Sequence, residues 1–193
     1  MILEASMKLF IEEGYGNVTI RKIADIIEYS PTTVYLYFKD KDEIFYHLHE
    51  QGFARLAELN QNLAGIDNPL TRLYKMGENY LLFGKGNPEF YDIMFIQHAP
   101  MKVLMEREDC DWHFGDTALN LLKETIQEAM DKGFIYKGNA EAASMAIWGM
   151  VHGLVSLAIR QRFDKLIPKE EVDNMMQQSL NWLLNSIDQT VRA

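Results

Sequence analysis

Apolar positions recur at three- and four-residue steps along most of the chain, the period of amphipathic helices, and they predict an all-α fold. Ile2, Ala5 and Leu9, with Met7 and Phe10 beside them, give a first helix over residues 2–13, which Gly14 ends. Thr19 is placed to cap a second helix, whose apolar face is Ile20, Ile23, Ala24 and Ile27. Ser30 caps a third. Pro31 suits its first position, because the N–H that proline lacks would have no partner there. Val34 and Phe38 fall on one side of this helix, where they can pack on the second, so Thr32, Thr33, Tyr35 and Tyr37 are left to face outward.

The pattern continues with a long helix opened by Asp40 as N-cap and Glu43 three residues on, the form of a capping box. Ile44, Leu48, Leu56, Leu59 and Leu63 carry it to about Ala64, and His47 and His49 fall on a solvated face. After a break at residues 65–69 a helix runs over 70–83, with Leu73, Met76, Tyr80 and Phe83 on one side. Residues 84–88 read as a loop, 89–97 as a helix, and 100–113 as the least regular part of the chain. Leu119, Leu122, Ile126 and Met130 mark a helix over 114–132, which Gly133 closes.

The helix over 139–163, capped by Asn139, is apolar on nearly every side between Ala142 and Ile159. That run is just long enough to span a bilayer. His152 and two serines interrupt it, so the expectation is a buried helix and no membrane. Ala142, Ala146, Gly149, Gly153 and Ser156 form a small-residue ridge along which a partner helix can come close. A last helix over 168–190 carries the stripe Val172, Met176, Leu180, Leu183 and Ile187, with Met175 and Trp182 beside it.

Two short helices joined by a tight turn, the second fronted by small polar residues, is the sequence form of a helix-turn-helix. The major groove admits a helix whose N-terminal residues reach base edges. Pro31, Thr32 and Thr33 stand at that front, and a threonine offers both a hydroxyl and a methyl. Tyr37 and Lys41 suit phosphate contacts, which position a protein without reading sequence. The free N–H groups behind Thr19 can do the same. Spacing alone leaves a plain helical hairpin within a larger all-α core equally open.

Composition changes this picture little. The chain has 193 residues, 48% hydrophobic and 24% charged, which are globular values and enough for a full core. The one cysteine, Cys110, excludes an intramolecular disulfide and fits a reducing cytoplasm; no signal peptide is read at Met1. Net charge is −9, and residues 1–50 hold five basic against nine acidic side chains, unlike the basic footprint of most DNA binders. Local distribution matters more, since salt at 0.1 M confines each charge to about 10 Å. Arg21, Lys22, Lys39 and Lys41 flank the third helix, so modest affinity with strong salt sensitivity is expected.

The run Leu9-Phe10, Gly14-Tyr15, Thr19-Ile20-Arg21, Ile23-Ala24, Ser30-Pro31, Thr33-Val34-Tyr35, Tyr37-Phe38-Lys39 and Lys41-Asp42-Glu43 resembles the DNA-binding domain of the TetR family of transcriptional regulators. Two departures are Glu28, where the family often has a small residue, and the absence of a basic arm before the first helix. Trp148-Gly149-Met150-Val151-His152-Gly153 resembles the Trp–His–Gly signature of one class of C-terminal domains in that family. The resemblance implies a three-helix helix-turn-helix domain over residues 1–46 and a larger helical bundle over 47–193 that binds ligand and dimerises. It implies DNA contacts by Thr19, Arg21, Pro31, Thr32, Thr33, Tyr35, Tyr37 and Lys41. It also implies a dimer interface built from the last two long helices, with Gly149, Gly153, Met176, Leu180 and Leu183 in it. The function so implied is a cytoplasmic homodimeric repressor, released from a palindromic operator in double-stranded DNA by a small-molecule effector. Activation in place of repression stays open, and a dimerisation or ligand-binding module with lost or weak DNA binding is the alternative.

An effector pocket is expected among the helices at 70–83, 89–97 and 139–163. Tyr80, Phe83, Tyr91, Met94, Phe95, Met101, Met145 and Trp148 supply large adaptable surface there, with Gln97 and His98 as polar handles. Ordinary core would use the same residue types. The molecule expected is largely apolar or aromatic, and the acidic protein favours a lipophilic cation. Cys110 and His113 near Asp109 and Asp111 are too few for a metal site, so no metal or cofactor is expected. No HExxH, Walker sequence or nucleophile motif occurs, which argues against an enzyme.

Overall fold

The computed structural model describes residues 1–97, 105 and 113–190. Among them are nine α-helices and no β-strand. The helices are α1 (Ile2–Glu13), α2 (Ile20–Ile26), α3 (Pro31–Tyr35), α4 (Lys41–Asn60), α5 (Pro69–Gly86), α6 (Pro88–Phe95), α7 (His113–Asp131), α8 (Ala140–Ile159) and α9 (Val172–Ile187). The expectations at His98, Met101, Cys110 and the irregular segment around them lie outside the described residues.

The chain divides into two compact units. The first comprises Met1–Ala54 with Glu89–Phe114, and the second Arg55–Pro88 with Gly115–Ala193. In the first, the faces expected from the periodicity are the ones buried. Leu9, Phe10, Val18, Ile23, Val34, Ile44, Phe45 and Leu48 form its core. Phe10, Phe45 and Tyr15 stack as a three-ring cluster with centroids 4.9–5.7 Å apart. Phe53, Tyr91 and Phe95 continue the aromatic packing, and α6 lies close enough on α4 that a Cβ at Gly52 would overlap the Met94 thioether. His49, expected on a solvated face, is fully buried. It follows Phe45 and precedes Phe53 by four residues each, and so shares the inner face of α4 with them.

In the second unit α5 packs on both α8 and α9. Gly77 permits the approach to α9, since a Cβ there would stand 2.6 Å from Leu180 Cδ1. Arg72 ties the start of α5 down, donating to the Ile66 carbonyl and, at 2.7 Å, to Glu128 of α7.

Several helix ends differ from the sequence reading. α4 stops at Asn60, not near Ala64, and a short 3-10 turn at Leu63–Gly65 follows. Asn79 of α5 donates to the Leu59 carbonyl and the Asn60 side chain there, satisfying groups that further helix would otherwise occupy. α5 runs through Gly84-Lys85-Gly86, expected as loop, and ends where Asn87 donates back to the Phe83 carbonyl. α8 stops at Ile159, not at 163. Gln161 takes a left-handed conformation (φ +56°), while Gln161 and Arg162 N–H donate back to Ala158 and Leu157. Gly133 ends α7 in the same way with a residue that suits it.

The turn between α2 and α3 uses this device at Glu28, the position where the sequence departs from the family pattern. Glu28 has φ +59°, its N–H donates to Asp25, and Tyr29 N–H donates to Ala24 at 2.9 Å, a Schellman motif. The left-handed region costs a residue with a Cβ about 1–2 kcal/mol, and glycine returns part of that as lost chain entropy. Glu28→Gly is therefore expected to stabilise the protein by about 0.5–1 kcal/mol. A urea midpoint that stays the same or falls would contradict it.

Candidate nucleic-acid interface

Local chemistry holds the two helices of the motif. The Thr19 hydroxyl accepts from Lys22 N–H at 3.3 Å and starts α2, and the Ser30 hydroxyl accepts from Thr33 N–H at 3.1 Å and starts α3 behind Pro31. Val34 is fully buried, which fixes the rotation of α3. That rotation leaves Thr32, Tyr35, Leu36 and Tyr37 exposed, with Thr19 and Arg21 exposed on and before α2. Pro31 and Thr33 are half-buried, and the Thr33 hydroxyl lies 2.8 Å from the Ser30 hydroxyl.

Lys41 is engaged within the fold. Its ammonium donates to the carbonyls of Tyr15 (2.9 Å) and Val18 (3.2 Å) and stands 4.2 Å from the Tyr15 ring centre. Burial holds its pKa below the usual lysine value. Asp42 accepts from the Tyr15 hydroxyl, so two successive residues at the start of α4 clamp the turn after α1. Asp40 caps α4 through Glu43 N–H at 2.8 Å, while the Glu43 carboxylate reaches one residue further back than a capping box requires, to Lys39 N–H. Lys22 is paired with Glu13, whereas Arg21 and Lys39 are exposed. Leu36, at 78% exposure, is the residue the sequence reading passes over. Its signal is present all the same: with Val34 and Phe38 turned inward, a residue four after Thr32 shares the outward face.

The residues expected around an effector fall into two clusters, one in each unit. In the second unit the buried Tyr80 hydroxyl accepts from Trp148 Nε1 at 3.2 Å and lies 3.2 Å from His152 Nδ1, joining α5 to α8. Burial lowers the His152 pKa and favours the neutral ring. Phe83 is buried in the same unit and Met145 is exposed on α8. In the first unit Tyr91 and Met94 are buried, and Phe95 stacks on Tyr91 at 5.0 Å. An open groove of about 610 Å³ lies along α5 and the start of α9, bordered by Leu81, Leu82, Lys85, Asp173 and Met176, and contains none of these residues.

Of the residues expected at a subunit interface, Met176 and Leu180 are buried inside the subunit, against α5 in the case of Leu180. Leu183 is half-buried, and Gly149 and Gly153 have open space where a side chain would stand. α8 is long and apolar enough to cross a membrane by length and composition. The sequence reading expects a buried helix, yet only 17% of its most apolar window is buried within the subunit, because one face alone packs on α5 and α9. Met145 and Leu157 on α8 and Met175 and Trp182 on α9 are exposed.

Two family models match the chain: "Bacterial regulatory proteins, tetR family" over residues 2–48, and "Tetracyclin repressor-like, C-terminal domain" over residues 73–183. The transcriptional regulator HbdR of Aromatoleum sp. (strain CIB) is 37% identical over 73 residues, 37% of this chain and 32% of HbdR, so the match spans about a third of that relative's length. The dhaKLM operon transcriptional activator DhaS of Lactococcus lactis subsp. lactis (strain IL1403) is 24% identical over 149 residues, 74% of this chain and 73% of DhaS. Among solved structures, the regulator PfmR of Thermus thermophilus superposes with a TM-score of 0.72 at 18% identity, covering 95% of this chain and 97% of PfmR. AibR in complex with isovaleryl coenzyme A and operator DNA superposes with a TM-score of 0.69 at 17% identity, covering 92% of this chain and 95% of AibR.

Proposed function

The chain belongs to the TetR family of bacterial regulatory proteins, and from that premise we propose that it is a cytoplasmic homodimeric repressor, released from a palindromic operator by a small molecule. The observation that carries the DNA-binding part is the α3 face: a capped, proline-started helix whose one buried residue, Val34, turns threonine and tyrosine side chains outward. Residues 1–46 are the DNA-binding domain in this reading, and residues 47–193 bind effector and dimerise. No step of it needs catalysis.

Selection of sites from random DNA tests this reading, and failure to enrich any sequence would refute it. Arg21 is exposed and is assigned a phosphate. Arg21→Ala is expected to weaken binding to all sequences alike and to reduce the slope of log affinity against log salt by about 1. An unchanged slope removes Arg21 from the interface. Lys41→Ala is expected to lower melting temperature as well as affinity, because its ammonium also holds the Tyr15 and Val18 carbonyls.

Repression relieved by ligand requires an effector that binds the released conformation more tightly than the DNA-bound one. The Tyr80–Trp148–His152 cluster of the second unit is the assigned surroundings. Compounds to test first are short acyl-coenzyme A thioesters, because AibR of the same fold was solved with isovaleryl coenzyme A. Lipophilic cations come second, suited to a net charge of −9. A promoter fusion separates repression from the activation that DhaS is named for.

A further inference from the structure

We propose that sequence is read by the face Thr32–Tyr35–Leu36, with Leu36 against a thymine methyl, and that Thr33 is a positioning residue whose hydroxyl serves the helix cap. The inference rests on the DNA-binding reading above and says which side chains carry its specificity.

Thr32, Tyr35 and Leu36 are related by three and four residues and so form one stripe of the helix. All three are exposed, opposite the buried Val34. Leu36 keeps helical geometry as the C-cap of α3, so it stays on that stripe, and it is 78% exposed. An aliphatic side chain cannot hydrogen-bond a base edge or a phosphate. The one sequence-specific partner it has in the major groove is the C5-methyl of thymine, and contact removes both groups from water. Thr33 is situated differently. Its N–H donates to Ser30 Oγ, and its own hydroxyl is 2.8 Å from that same oxygen. Donating that hydroxyl to a base would compete with its contact to Ser30 Oγ inside the first turn of α3. Thr32, one residue earlier, is exposed and makes no such capping contact in the first turn.

The test uses the full chain and the site it selects from random DNA. Each thymine of that site is replaced singly by uracil, which deletes only the methyl group. At one thymine or more per half-site, the parent is expected to lose about fourfold in affinity, the equivalent of one methyl's burial. Leu36→Ala is expected to bind thymine and uracil alike there. Because Leu36 is exposed, this variant should melt with the parent, which circular dichroism checks. Thr32→Val is expected to change the selected base at one position. Thr33→Val should keep every base preference while lowering affinity for all sequences, as a positioning role requires. A uracil penalty that persists in Leu36→Ala at every position overturns the Leu36 assignment. A shifted base preference in Thr33→Val with none in Thr32→Val overturns the assignment of Thr33. If the parent selects no site at all, the DNA-binding reading fails and this inference with it.

Discussion

Phe45→Ala is expected to destabilise the first unit by about 3–5 kcal/mol, the usual cost of emptying an aromatic site in a core. Phe45 is fully buried and meets Phe10 and Tyr15 edge-on at 4.9 and 5.0 Å. Such edge contacts add to the value of the buried area itself. Tyr15 in turn carries the Lys41 ammonium over its ring and donates to Asp42, so the cavity would also loosen the clamp on the turn after α1. Domains of this kind are stable by about 5–15 kcal/mol in total, so a loss of this size leaves a large fraction of the motif unfolded under mild stress. Operator binding should fall with the folded population, although Phe45 cannot touch DNA. Urea unfolding followed by circular dichroism measures the loss. A shift below about 1 kcal/mol would show that the ring cluster is not what holds this unit together.

The helix-turn-helix was legible in the sequence because its determinants are local. Thr19, Ser30 and Pro31 act on groups within three residues of themselves, and each does in the structure what its position suggested. The left-handed turns at Glu28 and Gln161 were not legible, since nothing in a glutamate or glutamine announces a positive φ, although local backbone hydrogen bonds close both helix ends there. The glycines at 84 and 86 misled in the opposite direction, because glycine marks a loop only when no neighbouring element stabilises the helix through it. For α9 the stripe was visible but its use was not. Met176 and Leu180 are turned inward, and Leu180 fits because Gly77 lets α5 close on it; that glycine belongs to a helix far earlier in the chain, beyond the reach of any local pattern. The expected effector residues were found among the large apolar side chains, yet periodicity cannot assign them to one cluster. The structure gathers Tyr80 with Trp148 and separately Tyr91 with Phe95.

Gly149→Arg is expected to turn a dimer into a folded monomer. In the subunit nothing lies within 4 Å of where a Cβ on Gly149 would stand, and the same holds for Gly153, so neither glycine is needed to pack the subunit itself. Glycine inside a helix costs about 0.5–1 kcal/mol relative to alanine, and the monomer should gain most of that on substitution. The open glycines lie along a helix whose most apolar window is only 17% buried, beside Met145 and Leu157, and α9 offers Met175 and the 74%-exposed Trp182. A second copy of this surface is the occupant that the proposed homodimer requires. In a two-fold interface each substitution occurs twice, so two guanidinium groups would be buried without partners against apolar surface. The dimer dissociation constant should then rise by at least about 100-fold, equivalent to about 2.7 kcal/mol. Trp182→Ala should weaken the dimer in the same direction, as removal of a large aromatic anchor does. Sedimentation at micromolar concentration reads the assembly, and thermal melting at a concentration where the parent is monomeric reads the fold. A Gly149→Arg variant that sediments as the parent does would sink the interface, and so would a parent that is monomeric throughout. A variant that unfolds would instead place Gly149 in the subunit core, against the open space found around it.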